Sequence, residues 1–452
     1  MLGLGETGLS MAKWLTRAGA RVAVADSRAE PPNLQALRAD CPGASIRAGA
    51  FARSAFEGID FIAISPGVAL AEPEVRAALQ RGIPVAGDIE LFARAIAARP
   101  KAKLLGITGS NGKSTVTAMA GAMCRQAGLR TAVVGNIGPA ALDALMQAED
   151  RGENPDAWVL ELSSFQLETT ASLDLDAAAV LNLSEDHLDR YAGMAEYAAA
   201  KKRIFLGRGT QVLNRDDCAT MAMKLAGRAS VTFGTGEPPA SADWGMRPQG
   251  NETWLVQGEE RAMPASRLRL AGRHNAANAL AALALTRSIG LPLPPLVAAL
   301  AAFEGLPHRM QKIATLRGVG FFDDSKGTNV GATVAALRGI AAPAVLIAGG
   351  EGKGQDFAPL AAAVAVRARA VVLIGRDAAL IEKALDASGV PLLSAGSMRE
   401  AVEAAYGVAQ PGDAVLLSPA CASFDMFRNY AHRGETFAAA VHDLEARLGD
   451  PR

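Results

Sequence analysis

One ten-residue stretch, GITGSNGKST (Gly106 to Thr115), constrains this 452-residue chain more than any other. It approximates the phosphate-loop pattern G-x-x-x-x-G-K-[ST], with Gly106 or a neighbour as first glycine and Gly112-Lys113-Ser114 as its end. The apolar run before it reads as a strand, and a helix is predicted to start at Lys113. Glycines let successive backbone N–H groups turn inward onto phosphate oxygens, and the helix N-terminus favours negative charge. Lys113 adds a positive charge for the β- and γ-phosphates, and the Ser114 hydroxyl suits Mg²⁺. Gly109, Ser110, Asn111, Gly112, Lys113, Ser114 and Thr115 are therefore the expected cradle of a nucleoside triphosphate.

A strand–loop–helix of this kind needs parallel neighbours, and three segments supply them. Residues 1–92 open with GLGETG, followed by a helical stretch, a buried strand RVAVAD and a further strand FIAISPG. Residues 93–305 contain the phosphate loop, the strands WVLEL and AAAVLNL, shorter strand-like pieces after Gly207, and an Ala/Leu helix from about Asn275. Residues 306–452 carry the strands AVLIAGG, AVVLIG and AVLLSP with helices between. Strands alternating with helices predict an α/β fold: three domains, the outer two Rossmann-like and the central one a phosphate-loop domain with a mostly parallel sheet.

Ligands of such sheets bind beyond the strand C-termini. Glu161 and His187 follow two predicted parallel strands at the same edge as the phosphate loop, which makes them candidate metal ligands. Lys201 lies on a predicted helix, Met194 to Phe205, next to Lys202 and Arg203; on its own that reads as a solvated basic face. Were Lys201 to take up CO₂, its carbamate would be an anionic oxygen ligand for Mg²⁺. In the last segment His308 and Arg309, the run DDSKGTN, the loop GGEGKG and the run SPACASFDMF all sit at strand ends and predict a ligand-binding rim. GLGETG with Asp26 satisfies the dinucleotide fingerprint, yet any nucleoside diphosphate meets the same physics, so NAD(P) and another nucleotide diphosphate both stay open.

Composition narrows the rest. Lys+Arg and Asp+Glu are both 46, which excludes a whole-chain electrostatic nucleic-acid binder. The four cysteines show no metal or disulfide spacing. No signal peptide is visible, and arginine, serine and prolines interrupt the longest apolar stretch. A cytoplasmic protein without membrane partners is expected.

The pieces GITGSNGKST, GNIG, ELSSFQLE, NLSEDHLDRY, AAAKKRIF, HNAANALAA, LPHRM, DDSKGTN and SPACAS occur in one order across almost the whole chain. In this the chain resembles the Mur ligases, and ELSSFQLE with DSK-x-TN points to the branch that adds D-glutamate. The resemblance implies a first domain for the UDP end of the substrate, a central ATPase and a third domain that closes over ATP and admits the amino acid. The implied reaction joins D-glutamate to UDP-N-acetylmuramoyl-L-alanine as ATP becomes ADP and phosphate, in a monomer with two Mg²⁺ ions. Thr7, Asp26, Ser27, Arg28 and Gly67 would hold the uridine and diphosphate, and Asn136 the muramoyl part. Glu161 would ligate one Mg²⁺, and His187 and a carbamylated Lys201 the second. Asn278, Arg309 and Asp324 would contact the nucleotide. Lys326, Thr328, Lys353, Ser423, Phe424 and Tyr430 would line the D-glutamate pocket.

Two departures accompany the resemblance. The chain starts almost on its first glycine loop, so the preceding strand, central in this topology, is expected to be missing, through a mis-assigned start or a truncation. Gly327 stands where the family pattern commonly has alanine, a change expected to be harmless in a loop. The competing readings are a sister ligase or a folylpolyglutamate synthase-like enzyme, a nucleotide-dependent switch without ligase activity, and an NAD(P) dehydrogenase that leaves the phosphate loop unexplained.

Overall fold

The computed structural model describes residues 1–270 and 272–449. They pack as two compact units. Met1–Asn182, Ala195–Pro264 and Asn278–Ala301 form the first; Leu183–Met194, Ala265–Ala277 and the chain from Ala302 onward form the second.

At the start of the first unit, Ala23–Asp26 pairs in parallel with Ser45–Ala48, and Ile62–Ala63 with Val85–Ala86. Leu2 bridges both pairs, to Ala25 on one side and Ile64 on the other. Leu2 N–H donates to the Ala63 carbonyl, and Leu2 accepts from Ser65 N–H. Gly3 N–H donates to Ala25, whose own N–H donates to Met1. Residues 1–3 thus occupy the central strand position, and the strand is reduced to a bridge rather than absent. Leu2, Phe56, Ile62, Ile64 and Val75 form one small core, and Leu4, Ala12, Val24 and Leu37 another. The helix Glu6–Arg17 closes tightly on the glycine loop: a Cβ on Gly8 would lie 1.9 Å from the Gly3 carbonyl oxygen.

The rest of this unit is built on a nine-stranded sheet. From one edge its order is Thr131–Gly135, Ala157–Glu161, Lys103–Thr108, Ala177–Val180, Thr210–Asn214, Ser230–Phe233, Trp244–Gln249, Glu252–Gln257 and Glu260–Pro264. Pairing is parallel as far as the Phe233–Trp244 contact, and the last three strands form an antiparallel meander. Strands 157–161 and 177–180 are buried along their whole length, as strands covered on both faces must be. The predicted helix over 194–205 is α-helical over Met194–Lys202 and then tightens into a 3₁₀ turn, Arg203–Phe205.

The second unit has a six-stranded sheet in the order Gln311–Leu316, Val319–Asp323, Ala414–Leu417, Ala344–Gly349, Ala368–Ile374, Leu392–Ser394. Only the first pair is antiparallel. Helices cover both faces over two cores, one around Leu346, Leu360 and Leu373, the other around Phe321, Ile347 and Phe437. No helix among the described residues is long and apolar enough to cross a membrane.

Candidate active site

The phosphate loop leaves the strand Lys103–Thr108 at Gly109, whose φ of +149° makes the first turn, and enters the helix Lys113–Gln126 at Gly112, φ +83°. Gly106 lies within the strand, so the loop's working glycines are Gly109 and Gly112. Gly112 caps the helix without a side chain, and a Cβ there would lie 2.5 Å from Asn278 Oδ1. Close packing against Asn278 and a left-handed φ both demand glycine. The Lys113 ammonium folds back on its own loop and donates to the carbonyls of Gly109 (2.9 Å) and Ser110 (3.0 Å). Ser110, Ser114 and Thr115 are buried beside it.

Lys201 is not on a solvated face. Only 1% of it is exposed, while Lys202 next to it points to solvent. Its Nζ donates to the Gly109 carbonyl at 2.9 Å and to Thr108 Oγ1 at 3.4 Å. The same nitrogen lies 4.6 Å from the centre of the Tyr197 ring, and the Tyr197 hydroxyl is 3.2 Å from Ser110 Oγ. The helix Met194–Lys202 therefore delivers a second lysine to the loop carbonyl that Lys113 also holds.

Glu161 ends the adjacent parallel strand, in register with Ile107 on one side and Gly135 on the other. It is 1% exposed. Its Oε1 accepts from Asn136 Nδ2 at 2.7 Å, and Oε2 has no hydrogen-bond partner. A buried carboxylate oxygen with no donor suits a cation. Glu161 and the Ser114 hydroxyl thus fit Mg²⁺, which takes one or two carboxylates and leaves its other positions to phosphate and water. No group of three or more His, Cys, Asp or Glu able to hold a metal occurs among the described residues.

Sequence reasoning missed Asn182. Its Oδ1 accepts from Asn111 N–H (2.8 Å), its Nδ2 donates to the Asn111 carbonyl (3.0 Å), and its own carbonyl accepts from Ser110 N–H (2.9 Å). The usable signal was an asparagine just beyond the strand beside the loop strand.

Of the uridine candidates, Asp26 and Arg28 are joined directly. The Asp26 carboxylate accepts from Leu4 N–H in the glycine loop (2.6 Å), from Arg28 N–H, and from the Arg28 guanidinium at 2.9 and 2.7 Å. The bonded Arg28 guanidinium holds Asp26 down at about 2. Asp26 thus fastens the loop to Arg28 and leaves Ser27, Arg28 and Gly67 exposed with Thr7 half-buried.

In the second unit, Asp324 is buried at the end of the strand Val319–Asp323, accepts from Ser418 Oγ (2.8 Å), and is pushed up to about 7 by burial, which nearby Arg309 opposes. A Cβ on Gly327 would lie 2.8 Å from both Asp324 Oδ2 and Ser418 Oγ. Glycine is therefore fitted to that bond. Lys326 Nζ stands 3.7 Å from the Tyr430 ring centre. Thr328 N–H donates to the Lys326 carbonyl, Ser423 is buried, and Phe424 is 71% exposed. Lys353 is bound to Asp186 at 2.6 Å, and Asp186 Oδ2 accepts from Asn329 at 3.2 Å. His187, beside Asp186, has a left-handed φ of +57°.

Arg433 also escaped the sequence reading. It is fully buried on the helix Tyr430–Leu448 and donates to Ser325 Oγ and carbonyl and to the carbonyls of Cys421 and Ala422. Burial lowers it to about 10, so it stays charged at neutral pH and ties two loops of the rim together.

The model of the Mur ligase MurD-like N-terminal domain matches residues 1–87, that of the Mur ligase middle domain residues 107–286, and that of the Mur ligase glutamate ligase domain residues 308–421. The UDP-N-acetylmuramoylalanine–D-glutamate ligase of Nitrosospira multiformis is 60% identical over 99% of this chain and 95% of its own length. The protein of that name from Nitrosomonas europaea is 56% identical, over 99% and 96%. Among solved structures, UDP-N-acetylmuramate-alanine ligase MurC from Thermotoga maritima matches with TM-score 0.63 at 19% identity over 99% of this chain and 98% of its own. A pseudomurein peptide ligase type C from Methanothermus fervidus matches with TM-score 0.62 at 18% identity, over 98% and 99%. These structures share the fold, and the three domain models with the full-length relatives place the chain in the Mur ligase family.

Proposed function

We propose that this chain is an ATP-dependent ligase that joins D-glutamate to UDP-N-acetylmuramoyl-L-alanine, a step in peptidoglycan precursor synthesis. The observation that carries the reading is full-length identity to D-glutamate ligases, together with Lys113, Lys201 and Glu161 gathered around one phosphate loop. Residues 1–92 take the UDP end through Thr7, Asp26, Ser27, Arg28 and Gly67. Residues 93–305 take ATP, with Asn136 on the muramoyl part, and residues 306–452 take D-glutamate. The protein acts as a monomer in the cytoplasm.

In this reading the alanyl carboxylate oxygen attacks the γ-phosphorus, the bond from that phosphorus to the β–γ bridging oxygen breaks, and ADP leaves. The amine of D-glutamate then attacks the acyl phosphate carbonyl. The tetrahedral intermediate expels phosphate, and the nitrogen releases a proton. Lys113 exchanges its loop carbonyls for the β- and γ-phosphate oxygens and offsets the repulsion between two anions. Two Mg²⁺ ions, held by Ser114 and Glu161 and by His187 and Lys201, would supply further neutralisation of the phosphoryl oxygens. For this the Lys201 ammonium would first give up one proton to water, and the neutral amine would then bond to CO₂ and release a second, leaving an anionic carbamate. Asn278, Arg309 and Asp324 orient the nucleotide. Lys326, Thr328, Lys353, Ser423, Phe424 and Tyr430 receive the amino acid, whose two carboxylates match the two lysines.

The test is phosphate release by the purified chain with ATP, Mg²⁺ and UDP-N-acetylmuramoyl-L-alanine, with D-glutamate present or replaced by L-alanine, a diamino acid or L-glutamate with a folate acceptor. Turnover that depends on D-glutamate is expected. Turnover only with another amino acid assigns the chain to a sister ligase, and GTP hydrolysis indifferent to every acceptor assigns it to the nucleotide switches.

A further inference from the structure

Asp88 opens the helix Asp88–Ala97 and is 1% exposed, yet nothing in the nucleotide cradle uses it. Its Oδ2 accepts from Gln166 Nε2 at 2.8 Å, and its Oδ1 has no hydrogen-bond partner. A buried carboxylate with one oxygen unsatisfied is unfavourable. Burial accordingly pushes Asp88 up to about 6. Glu90, on the same helix, already fastens it to the same stretch of chain, accepting from Ala171 N–H (2.7 Å), Ser172 N–H (2.8 Å) and Ser172 Oγ (2.9 Å).

Gln166 shows what Asp88 does. A side-chain amide has a donor end and an acceptor end, and only its partners decide which way it faces. An ionised carboxylate can only accept, so Asp88 takes the Nε2 end. That leaves Gln166 Oε1 facing Ser163, where it accepts from the backbone N–H at 3.0 Å and from Oγ at 3.1 Å. In return Gln166 N–H donates to Ser163 Oγ at 3.2 Å, completing a capping box on the helix Ser164–Glu168. The hydroxyl proton of Ser163 is thus directed into the cap, which leaves one lone pair of this half-buried side chain for a further donor.

We infer that Asp88 is a positioning residue: through Gln166 it sets Ser163 as a hydrogen-bond acceptor next to Glu161, suited to an amide N–H of the UDP-linked acyl substrate. The inference rests on the proposed function, in which Asn136, the hydrogen-bond partner of Glu161, takes the muramoyl part of that substrate. An acid of the N-terminal segment would thereby orient a group in the central one.

Steady-state kinetics on the full chain test this, varying UDP-N-acetylmuramoyl-L-alanine and ATP separately. Asp88→Ala and Gln166→Ala should each raise KM for the acyl substrate about 10-fold and leave KM for ATP within about 2-fold. The double variant should lose no more than Gln166→Ala alone, because both changes break one relay. Asp88→Asn, which keeps an acceptor for Gln166, should restore KM to within about 3-fold. Glu90→Gln should lower the melting temperature without splitting the two KM values. Additive losses in the double variant, or equal rises in both KM values with a lower melting temperature, overturn the inference. If Asp88→Ala does not fold, Asp88→Asn with and without Gln166→Ala carries the same comparison. An unchanged KM for the acyl substrate in Asn136→Ala would overturn the placement of the substrate itself; a raised KM there, with no coupling between Asp88 and Gln166, overturns the role of Asp88 alone.

Discussion

A single side chain separates the two readings of the AAAKKRIF run. From the sequence, three adjacent cations on a helix read as a solvated face, because alanine neighbours give no apolar stripe to point one of them inward. The fold turns Lys201 into the sheet and onto the Gly109 carbonyl. Only the neighbouring strand ends, which sequence cannot place in space, reveal this. Lys201→Ala is expected to cut phosphate release about 10²- to 10³-fold, a loss of ~3–4 kcal/mol of transition-state stabilisation. Added formate or acetate should restore part of it by supplying the missing anion. Full activity without any added carboxylate would remove the carbamate from the reading. Asp324 gives a prediction in pH. Its carboxyl is raised from 3.8 to about 7, chiefly by burial. A raised acid favours the folded state while protonated, so its contribution is complete below about pH 4 and is lost as pH climbs through 7. The span is up to about 4 kcal/mol. Urea unfolding at pH 5 and pH 8.5 should show the wild type losing more stability between them than Asp324→Asn, and equal losses would contradict the assignment.

At the level of elements, the sequence was informative wherever a strand runs into a glycine. The strand Lys103–Thr108, its loop and its helix were legible because glycine, lysine and serine have fixed chemical reasons to follow a buried strand. Glu161 was legible as an acid at a parallel strand end. The meander Trp244–Pro264 was legible only as strand-like pieces, since a polar antiparallel edge has no buried run to mark it. Arg433 was not legible, because Ser325, one of its partners, lies far from it in sequence, and a polar residue reads the same in a turn or in a relay. Gly112 shows how closely an element's start is specified. Its φ is +83°, and an added methyl would meet Asn278 Oδ1 at 2.5 Å. Gly112→Ala should therefore shift the start of the helix and weaken binding of a non-hydrolysable ATP analogue by at least about 10-fold, with ~1–2 kcal/mol lost from the fold. Isothermal titration and thermal denaturation measure the two effects separately, and unchanged affinity would mean that the loop tolerates the methyl.

For the whole molecule, the three segments read from the sequence and the two compact units of the structure describe different things. The segments follow motif order, whereas the units follow where apolar side chains bury each other. Each unit has its own large sheet and its own buried leucines, Leu160 on the strand Ala157–Glu161 of the first and Leu346 on the strand Ala344–Gly349 of the second. Chains built this way do not have to unfold in one step. Replacing a fully buried leucine by alanine removes about 2–5 kcal/mol from the core that holds it. Leu160→Ala and Leu346→Ala should therefore move different parts of a calorimetric unfolding trace: each lowers one transition by several degrees and leaves the other where it was. A single transition that shifts equally for both variants would mean that the two cores melt as one. The proposed reaction gives a reason to expect separate melting, because an enzyme that admits three substrates and then excludes water from an acyl phosphate needs parts that move without unfolding.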